Sequence, residues 1–301
     1  MQILDGKLAS GAIKDDLKNK ISELKKTGKK IPHLAAVLIG NNPASETYVA
    51  SKVKSCNEIG ITSTLLRFDD SVAEQELLQN IKTLNDNSDI DGILVQLPLP
   101  KHISEEKVIN AISPEKDVDG FHPVNVGKMV LDLQTFISAT PYGIILLLQH
   151  YKIETTGRHV VVIGRSNIAG TPISILLSRN AAYGNSTVTL CHSKTKNLKE
   201  LCLQADIIIA AIGKPKFVTA DMVKENAVVI DVGINRIKDE TKKSGYALTG
   251  DVDFNNVAPK CSYISPVPGG VGLMTISALL MNTYNACVKM SEPCLPAGRH
   301  D

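Results

Sequence analysis

The stretch LAAVLIGNNPASETYVASK, residues 34–52, sets the pattern that the rest of the chain follows. Its apolar run, Leu34 to Ile39, predicts a buried strand. The Asn-Asn-Pro that comes next breaks the strand and suits the first turn of a helix, which we predict over about Ala44 to Ile59. Because residues four apart stack along a helix, Tyr48 and Lys52 would share one face of it.

An aromatic ring beside an amine, just beyond the C-terminal end of a strand, lies where open α/β sheets bind ligands. A solvated surface lysine is the alternative interpretation of Lys52, since lysines are rarely buried unless they are paired. The stretch by itself leaves both interpretations open.

The composition is that of a soluble globular protein. The 301 residues are enough for two domains or one large one. The net charge of +2 gives no basis for binding nucleic acid or an anionic membrane, and the absence of Trp weakens any base-stacking model. Six cysteines without a Cys-x-x-Cys pair favour reduced thiols. With no leader peptide and no membrane-length apolar run in view, we expect a cytoplasmic protein without nucleic-acid or membrane partners.

Apolar runs and amphipathic stretches alternate along the chain, which predicts α/β architecture with mostly parallel sheets. In the first half the predicted strands are Leu34–Ile39, Ser63–Phe68 and Gly92–Gln96, and the predicted helices are Lys7–Lys26, Ala44–Ile59, Ala73–Asn85 and Glu105–Ala111. The segment Asp117 to Lys128 has turn composition and is predicted to be a loop. In the second half we predict helices at Tyr142–Tyr151, Pro172–Ser178 and Met274–Val288, strands at His159–Ile163, Thr187–Cys191, Asp206–Ala211, Ala227–Val232 and Ser262–Ser265, a connector at Pro266–Gly272, and a frayed tail at 291–301.

The sequence GRSNIAGTP, residues 164–172, follows a predicted strand and opens a helix, which is the setting of a dinucleotide site. Its Gly-x5-Gly spacing is looser than Gly-x-Gly-x-x-Gly, so a plain strand-to-helix turn is an equal alternative on the motif alone. The next strand ends in CHSKT, residues 191–195, without the acid that would bind a free ribose 2′-hydroxyl. Ser193, the lysine beside it and Arg165 suit a 2′-phosphate better, which points to NADP.

Four further strings accompany these two motifs: QLPLP at 96–100, PEKDVDGF at 114–121, DVGIN at 231–235 and PVPGGVG at 266–272. Together with Tyr48-x3-Lys52 and GRS at 164–166, and in this order, they closely resemble the bifunctional methylenetetrahydrofolate dehydrogenase/methenyltetrahydrofolate cyclohydrolase family. The resemblance runs from about Leu4 to about Val288. Any one string could occur by chance, whereas all six in order are a strong signal.

The resemblance implies a two-domain α/β protein with a folate cleft between the domains. The folate-binding catalytic domain would comprise residues 1–139 plus 273–290, and the Rossmann-like NADP-binding domain residues 140–272. NADP+ would take hydride from 5,10-methylenetetrahydrofolate to give the methenyl cation, which water then opens to 10-formyltetrahydrofolate. A homodimer acting in one-carbon metabolism and purine biosynthesis is also implied.

The same resemblance implies roles for four residues. Lys52 would handle protons around the attacking water, and partial desolvation near a cationic substrate would lower its pKa. Gln96 would orient the amine, Tyr48 would stack on the aminobenzoate ring, and Asp119 would accept hydrogen bonds from the pterin. Taken alone, Gln96 and Asp119 read as a strand-end cap and a turn residue.

The remaining implied contacts fall into two sets. Those to folate are Val95, Leu97, Pro268, Gly269 and Gly270, and those to the cofactor are Gly164, Arg165, Ser166, Ser193 and Ile234. Asp117 is interpreted as a turn residue. No metal site is expected, because the seven histidines are scattered without ligand spacing.

Two departures from the family pattern stand out. Leu273 replaces the second proline of the glycine-rich string, which would loosen the start of the last helix, and Ala139 stands where cysteine is common. Two rival functions stay open: a dehydrogenase with weak cyclohydrolase activity or a preference for NAD, and a non-catalytic nucleotide-sensing module. A nucleic-acid-binding protein is more distant, because the chain has no basic stripe.

Overall fold

The structure is a computed structural model that describes residues 1–242 and 245–288. The predicted tail at 291–301 lies outside these residues. The described chain forms two compact units. The first unit comprises residues 12–139 and 276–288, and the second comprises Met1–Gly11 and Thr140–Thr275.

Strands and helices alternate through both units. The strands are β1 (Gln2–Ile3), β2 (His33–Ile39), β3 (Thr62–Phe68), β4 (Gly92–Val95), β5 (His159–Ile163), β6 (Thr187–Cys191), β7 (Ile207–Ala210), β8 (Ala227–Asp231), β9 (Asn235–Lys238), β10 (Tyr246–Thr249) and β11 (Cys261–Ile264). The helices are α1 (Gly6–Lys26), α2 (Pro43–Ile59), α3 (Glu74–Asp86), α4 (Glu105–Ala111), α5 (Pro123–Val130), α6 (Ala139–His150), α7 (Gly170–Ser178), α8 (Leu198–Gln204), α9 (Phe254–Val257) and α10 (Val271–Cys287).

The first unit is built on a parallel sheet with the strand order β3-β2-β4. The central strand β2 is buried over all but its first residue, because helices cover both faces of such a sheet and leave no polar side. Its register pairs Ile39 with Phe68 on β3 and Val37 with Val95 on β4. The carboxyl ends of the three strands therefore meet at one edge, from which α2 starts.

The second unit is built on a six-stranded parallel sheet with the order β1-β11-β8-β7-β5-β6. Its inner strands β5, β7 and β8 are almost completely buried. A separate antiparallel ribbon joins β9 to β10. The predicted α/β class with two domains and mostly parallel sheets is thus confirmed.

Two predictions about segments were wrong. Residues 117–128 are not one loop, because α5 begins at Pro123, where proline fits a first helical turn and the His122 side chain accepts a hydrogen bond from the Val124 N–H. The connector predicted to run to Gly272 ends earlier, since α10 already begins at Val271. Helix α8 and the β9–β10 ribbon were not predicted, because α8 is only seven residues long and the ribbon is largely exposed.

The Gly-x5-Gly spacing of residues 164–170 has a packing reason. Gly164 adopts φ +115°, and a Cβ on it would overlap the carbonyl oxygen of Ala211. A Cβ on Gly170 would overlap the carbonyl oxygen of Gly164. The first turn of α7 therefore sits directly on the end of β5, a close approach that only glycine permits.

We expect Gly170→Ala to lower the free energy of unfolding by about 2–3 kcal/mol, because the added methyl group must displace backbone. Gly11→Ala is the matched control. No described atom outside its own helix lies within 4 Å of a Cβ on Gly11, so alanine should raise the free energy of unfolding there by roughly 0.5–1 kcal/mol. Urea unfolding measures both, and equal shifts in the two variants would contradict this packing account.

Candidate active site

Helix α2 delivers Lys52 to the carboxyl edge of the first unit's sheet. The side chain of Asn42 caps the helix by accepting hydrogen bonds from the N–H groups of Ala44 at 2.9 Å and Ser45 at 3.3 Å. Pro43 occupies the first helical position, and Gly60 ends the helix in the left-handed conformation. Because the capped helix begins at Pro43, Lys52 lies less than three helical turns beyond the end of β2.

Lys52 is buried, with only 3% of its surface exposed, so the solvated interpretation is excluded. Its Nζ donates a hydrogen bond to Oε1 of Gln96 at 3.2 Å. The same Nζ lies 4.6 Å from the centroid of the Tyr48 ring, within the range of a cation–π contact. Gln96 in turn donates from Nε2 to the carbonyl oxygen of Leu97 at 2.7 Å, which turns its acceptor oxygen toward the amine.

The electrostatic balance favours an uncharged amine. Burial lowers the pKa of Lys52 from its ordinary value, and the nearby Asp119 carboxylate raises it in part. Burial also raises the pKa of Asp119, while Lys52 lowers it and Asp117 raises it further. Burial thus lowers the pKa of the amine and raises that of the carboxyl group, which brings the two pKa values closer together.

A buried network fixes the loop that carries Asp119. The Asp117 carboxylate accepts hydrogen bonds from the His122 N–H at 2.7 Å and from Nδ2 of Asn125 at 2.9 Å. Gly120 adopts φ +71° against the backbone of residues 137–138. Asp117 therefore does more than occupy a turn, because the two hydrogen bonds to its Oδ2 order the segment beside Asp119.

Asn282 on α10 closes this loop from the other side. Its Nδ2 donates to the carbonyl oxygens of Val118 at 2.8 Å and Ile137 at 2.9 Å. Neither Asn125 nor Asn282 could be predicted, because neither lies in a motif, and the partners of Asn282 are also distant along the chain. Val95, Leu97 and Asp119 line one small cavity of about 10 Å³, while Tyr48 and Gln96 contact Lys52.

The second unit gathers a different set of predicted residues at the carboxyl edge of its own sheet. Arg165 and Ser166 are exposed on the loop after β5, where Ser166 Oγ accepts a hydrogen bond from the Ala169 N–H at 3.2 Å. Gly164 donates its N–H to the carbonyl oxygen of Cys191 at 2.9 Å, which joins this loop to the end of β6.

The turn after β6 presents Ser193 to solvent. The His192 N–H donates to Oγ1 of Thr195 at 3.0 Å, and the Thr195 N–H donates back to the His192 carbonyl oxygen at 2.9 Å. This tight turn leaves Ser193 and Lys194 exposed. Ile234, after β8, is also exposed, with 57% of its surface accessible.

The glycine-rich loop at 266–272 is anchored within the second unit. Gly6 donates its N–H to the carbonyl oxygen of Gly269 at 2.8 Å, and a Cβ on Gly6 would overlap the carbonyl oxygen of Gly270. Leu273 donates its N–H to the Gly270 carbonyl oxygen at 3.2 Å, a bond that proline could not make. The leucine therefore adds a hydrogen bond at the very place where we expected a looser start of the helix.

Two further features are absent from the part of the chain that the structure describes. Within residues 1–242 and 245–288, no three His, Cys, Asp or Glu side chains are grouped so as to hold a metal ion. In that same part of the chain no helix is both long and apolar enough to cross a membrane.

Comparison with known proteins places the chain among folate enzymes. The catalytic-domain model of tetrahydrofolate dehydrogenase/cyclohydrolase matches residues 4–119, and the NAD(P)-binding-domain model of the same family matches residues 138–291. These matches confirm the resemblance that the six sequence motifs predicted.

Individual relatives agree over nearly the whole length. The bifunctional protein FolD of Cytophaga hutchinsonii is 62% identical over 286 residues, which cover 95% of this chain and 99% of the relative. The crystal structure of the bifunctional FolD enzyme from Campylobacter jejuni is 47% identical, with a TM-score of 0.90 over 96% of this chain and 99% of that one. The Trypanosoma brucei enzyme, crystallised with NADP cofactor and an inhibitor, is 34% identical with a TM-score of 0.90, over 95% of this chain and 96% of that one.

The lowered pKa of Lys52 has a consequence for stability. Between that lowered pKa and 10.5, the unfolded chain binds more protons at this residue than the folded chain. The free energy of unfolding of the wild type, relative to that of Lys52→Met, should therefore rise with pH through this window. That advantage should be lost as the pH falls through the folded-state pKa.

Urea unfolding of both proteins from about pH 7 to about pH 10 measures the difference. Lys54→Met is the control, because the Lys54 side chain is 78% exposed. The difference in free energy of unfolding between the wild type and this variant should not change with pH. A difference that stays flat for Lys52→Met would mean that folding leaves the pKa of this amine unchanged.

Proposed function

The chain belongs to the tetrahydrofolate dehydrogenase/cyclohydrolase family, and we propose that it catalyses both of the reactions in that name. It oxidises 5,10-methylenetetrahydrofolate to the 5,10-methenyl cation and then hydrolyses that cation to 10-formyltetrahydrofolate. The observation that carries this proposal is the buried amine of Lys52, held by Gln96 and coupled to Asp119. A binding module without chemistry has no use for a lysine with a lowered pKa.

The oxidation is mainly a problem of positioning. Removal of hydride from the one-carbon bridge leaves a cation that the two flanking nitrogens stabilise, so the reaction needs little acid or base. NADP+, when bound, supplies the hydride acceptor. What the protein contributes is a fixed orientation of the folate, for which we propose stacking on Tyr48 and hydrogen bonds to Asp119.

The hydrolysis needs proton handling. Water adds to the methenyl carbon and must lose a proton, and one ring nitrogen must gain a proton before its bond to that carbon breaks. The neutral amine of Lys52 accepts one proton from water, and the resulting ammonium can return it to the leaving nitrogen. The remaining hydroxyl proton of the adduct is released to solvent as the carbon–nitrogen bond breaks and the formyl C=O forms. Gln96 keeps the amine in place, because its amide is itself held by the Leu97 carbonyl oxygen.

Further contacts complete the proposed folate site. Val95 and Leu97 lie beside Asp119 and offer apolar surface to the pterin. We propose Pro268, Gly269 and Gly270 as additional folate contacts, because their loop is anchored through Gly6 and carries little side chain.

The residues of the second unit suit NADP. The loop 164–170 leads directly into α7, and the start of a helix is a favourable place for a pyrophosphate. Arg165 and Ser193 are exposed at the two neighbouring loops and would hold the 2′-phosphate, with Ser166 beside them. Ile234, exposed after β8, is the fifth proposed cofactor contact.

We assign the folate chemistry to a domain of residues 1–139 plus 273–290 and the cofactor to residues 140–272.

We also propose a cytoplasmic homodimer whose product serves one-carbon metabolism, including purine biosynthesis. One supporting feature is that β3 forms an edge of its sheet and, among the strands of the described residues, pairs with β2 alone. A single-chain mass in sedimentation at micromolar concentration would contradict the homodimer.

We expect Lys52→Met to abolish hydrolysis of methenyltetrahydrofolate, with a loss of at least about 100-fold after the uncatalysed rate is subtracted, because the proton acceptor is gone. Binding of NADPH should survive, since Lys52 lies in the first unit and the proposed cofactor residues lie in the second. Absorbance of the methenyl compound follows the reaction, and NADPH fluorescence follows binding.

Lys54→Met, on the same helix but exposed, should hydrolyse like the wild type. Unchanged hydrolysis in Lys52→Met would remove this lysine from the mechanism.

Arg165→Ala should raise the KM for NADP+ by roughly tenfold or more, because a charge-assisted contact to the 2′-phosphate is lost. The KM for NAD+ should change little, since NAD+ has a free hydroxyl at that position. Dehydrogenase assays with each cofactor measure both values, and Arg158→Ala, also exposed in the second unit, is the control. A wild type that turns over better with NAD+ would overturn the assignment of Arg165 and Ser193.

A further inference from the structure

The sheet of the second unit has a topological switch point between β5 and β7. The chain passes from β5 to β6 on one side and then returns to β7 on the other. Open α/β sheets bind dinucleotides outside the carboxyl ends of the strands at such a point. Its two walls are the loop 164–170 after β5 and the loop 211–214 after β7. The walls are in contact, because Gly164 packs on the carbonyl oxygen of Ala211.

A single buried carboxylate holds the second wall. Asp251, just after β10, is completely buried. Its Oδ2 accepts hydrogen bonds from the N–H groups of Ile212 at 2.7 Å and Gly213 at 2.9 Å. Its Oδ1 accepts from the Lys214 N–H at 2.8 Å and from Nδ2 of Asn235 at 2.9 Å.

A second buried carboxylate holds Asp251 itself. Asp231, the last residue of β8, accepts hydrogen bonds from the N–H groups of Gly233 at 3.0 Å, Asp251 at 2.9 Å and Val252 at 2.9 Å. A Cβ on Gly233 would overlap the Asp251 carboxylate. The segment that leads to Ile234 is thus fixed by the same pair of acids.

The contacts of these two carboxylates are neutral N–H groups. Burial raises the pKa of Asp231 to about 6, and the backbone N–H groups of Asp251 and Val252 limit that rise. Two buried acids close to each other are costly for a fold, and the cost would be smaller if polar or apolar side chains bridged these loops. Because both acids bond the loops beside the switch point, we ask what those loops gain from them besides stability.

The geometry of the peptide bond suggests that reason. In a trans peptide the N–H and the C=O point in opposite directions. With three successive N–H groups drawn onto Asp251, the carbonyl oxygens of Ile212 and Gly213 face away from it. The directions of these carbonyl groups are therefore set by the bonds to Asp251.

We propose that Asp251 is a positioning residue for the nicotinamide cofactor, acting through the backbone of residues 211–214 and 233–235. It does not touch the cofactor. It fixes the spacing of the two walls of the crevice and the direction of the carbonyl groups that a bound dinucleotide meets. This inference rests on the proposed dehydrogenase function, and it separates cofactor affinity from folate chemistry within one chain.

Asp251→Asn tests it, because asparagine keeps the shape but replaces an acceptor oxygen with a donor that repels the N–H groups. We expect the dissociation constant of NADPH and the KM for NADP+ to rise about tenfold, equivalent to about 1.4 kcal/mol. The KM for folate and the rate of methenyltetrahydrofolate hydrolysis, which uses no cofactor, should stay within about twofold. Asp239→Asn, an acid whose contacts lie within the β9–β10 connection, is the matched control and should change none of these values.

A purely structural role predicts a lower melting temperature with cofactor affinity unchanged in the folded variant, and that result would overturn the inference. Equal losses in oxidation and hydrolysis would overturn it as well. Should Asp251→Asn fail to fold, Asn235→Ala removes only one of the four hydrogen bonds and should weaken NADPH binding about threefold, equivalent to about 0.7 kcal/mol. A wild type that binds no NADPH would instead refute the proposed function and is thereby distinguished from failure of this inference.

Discussion

The structure of the first unit depends on the burial of one amine. An ammonium group taken out of water is strongly destabilising unless it is paired or loses its proton. Lys52 has three partners of the kind that such a group needs: the amide oxygen of Gln96, the face of the Tyr48 ring and the desolvated carboxyl group of Asp119. Each of these partners is supported in turn, Gln96 by the Leu97 carbonyl oxygen and the Asp119 loop by Asp117 and Asn282.

Both units use buried acids to hold backbone segments in place. In each, a loop is held by a buried acid: Asp117 in the first accepts one backbone N–H and the amide of Asn125, and Asp251 in the second accepts three backbone N–H groups. The starts of two strands also show a shared device. The first residue of β2, His33, donates its N–H to Asp91, which pairs with Lys30, while His159 of β5 donates to Asp206, which pairs with Lys224. Acids that accept main-chain donors thus hold both these loops and the starts of these strands.

Much of this architecture could be read from the sequence, and the reasons for the failures are physical. Apolar runs such as Leu34–Ile39 are unambiguous because a parallel strand covered on both faces must be apolar throughout. Helix α5 was not predicted because only His122 and Pro123, at its start, mark it in a stretch of turn composition. The β9–β10 ribbon was not predicted because its residues are largely exposed and show no hydrophobic period. Motif order identified the family and the positions of Lys52, Gln96 and Asp119. It could not reveal Asn125, Asn282 or Asp251, because each is defined by partners that only the folded chain brings near.

The position of Asn282 bears on how the protein is made. Residues 12–139 leave the ribosome long before α10 does, yet the carbonyl groups of Val118 and Ile137 find their donor only in that last helix. The segment around Asp119 therefore cannot reach its final form until translation is almost finished. A nascent chain that stops early would lack the donor that completes this segment, so the loop around Asp119 becomes fully bonded only when nearly the full length has been translated.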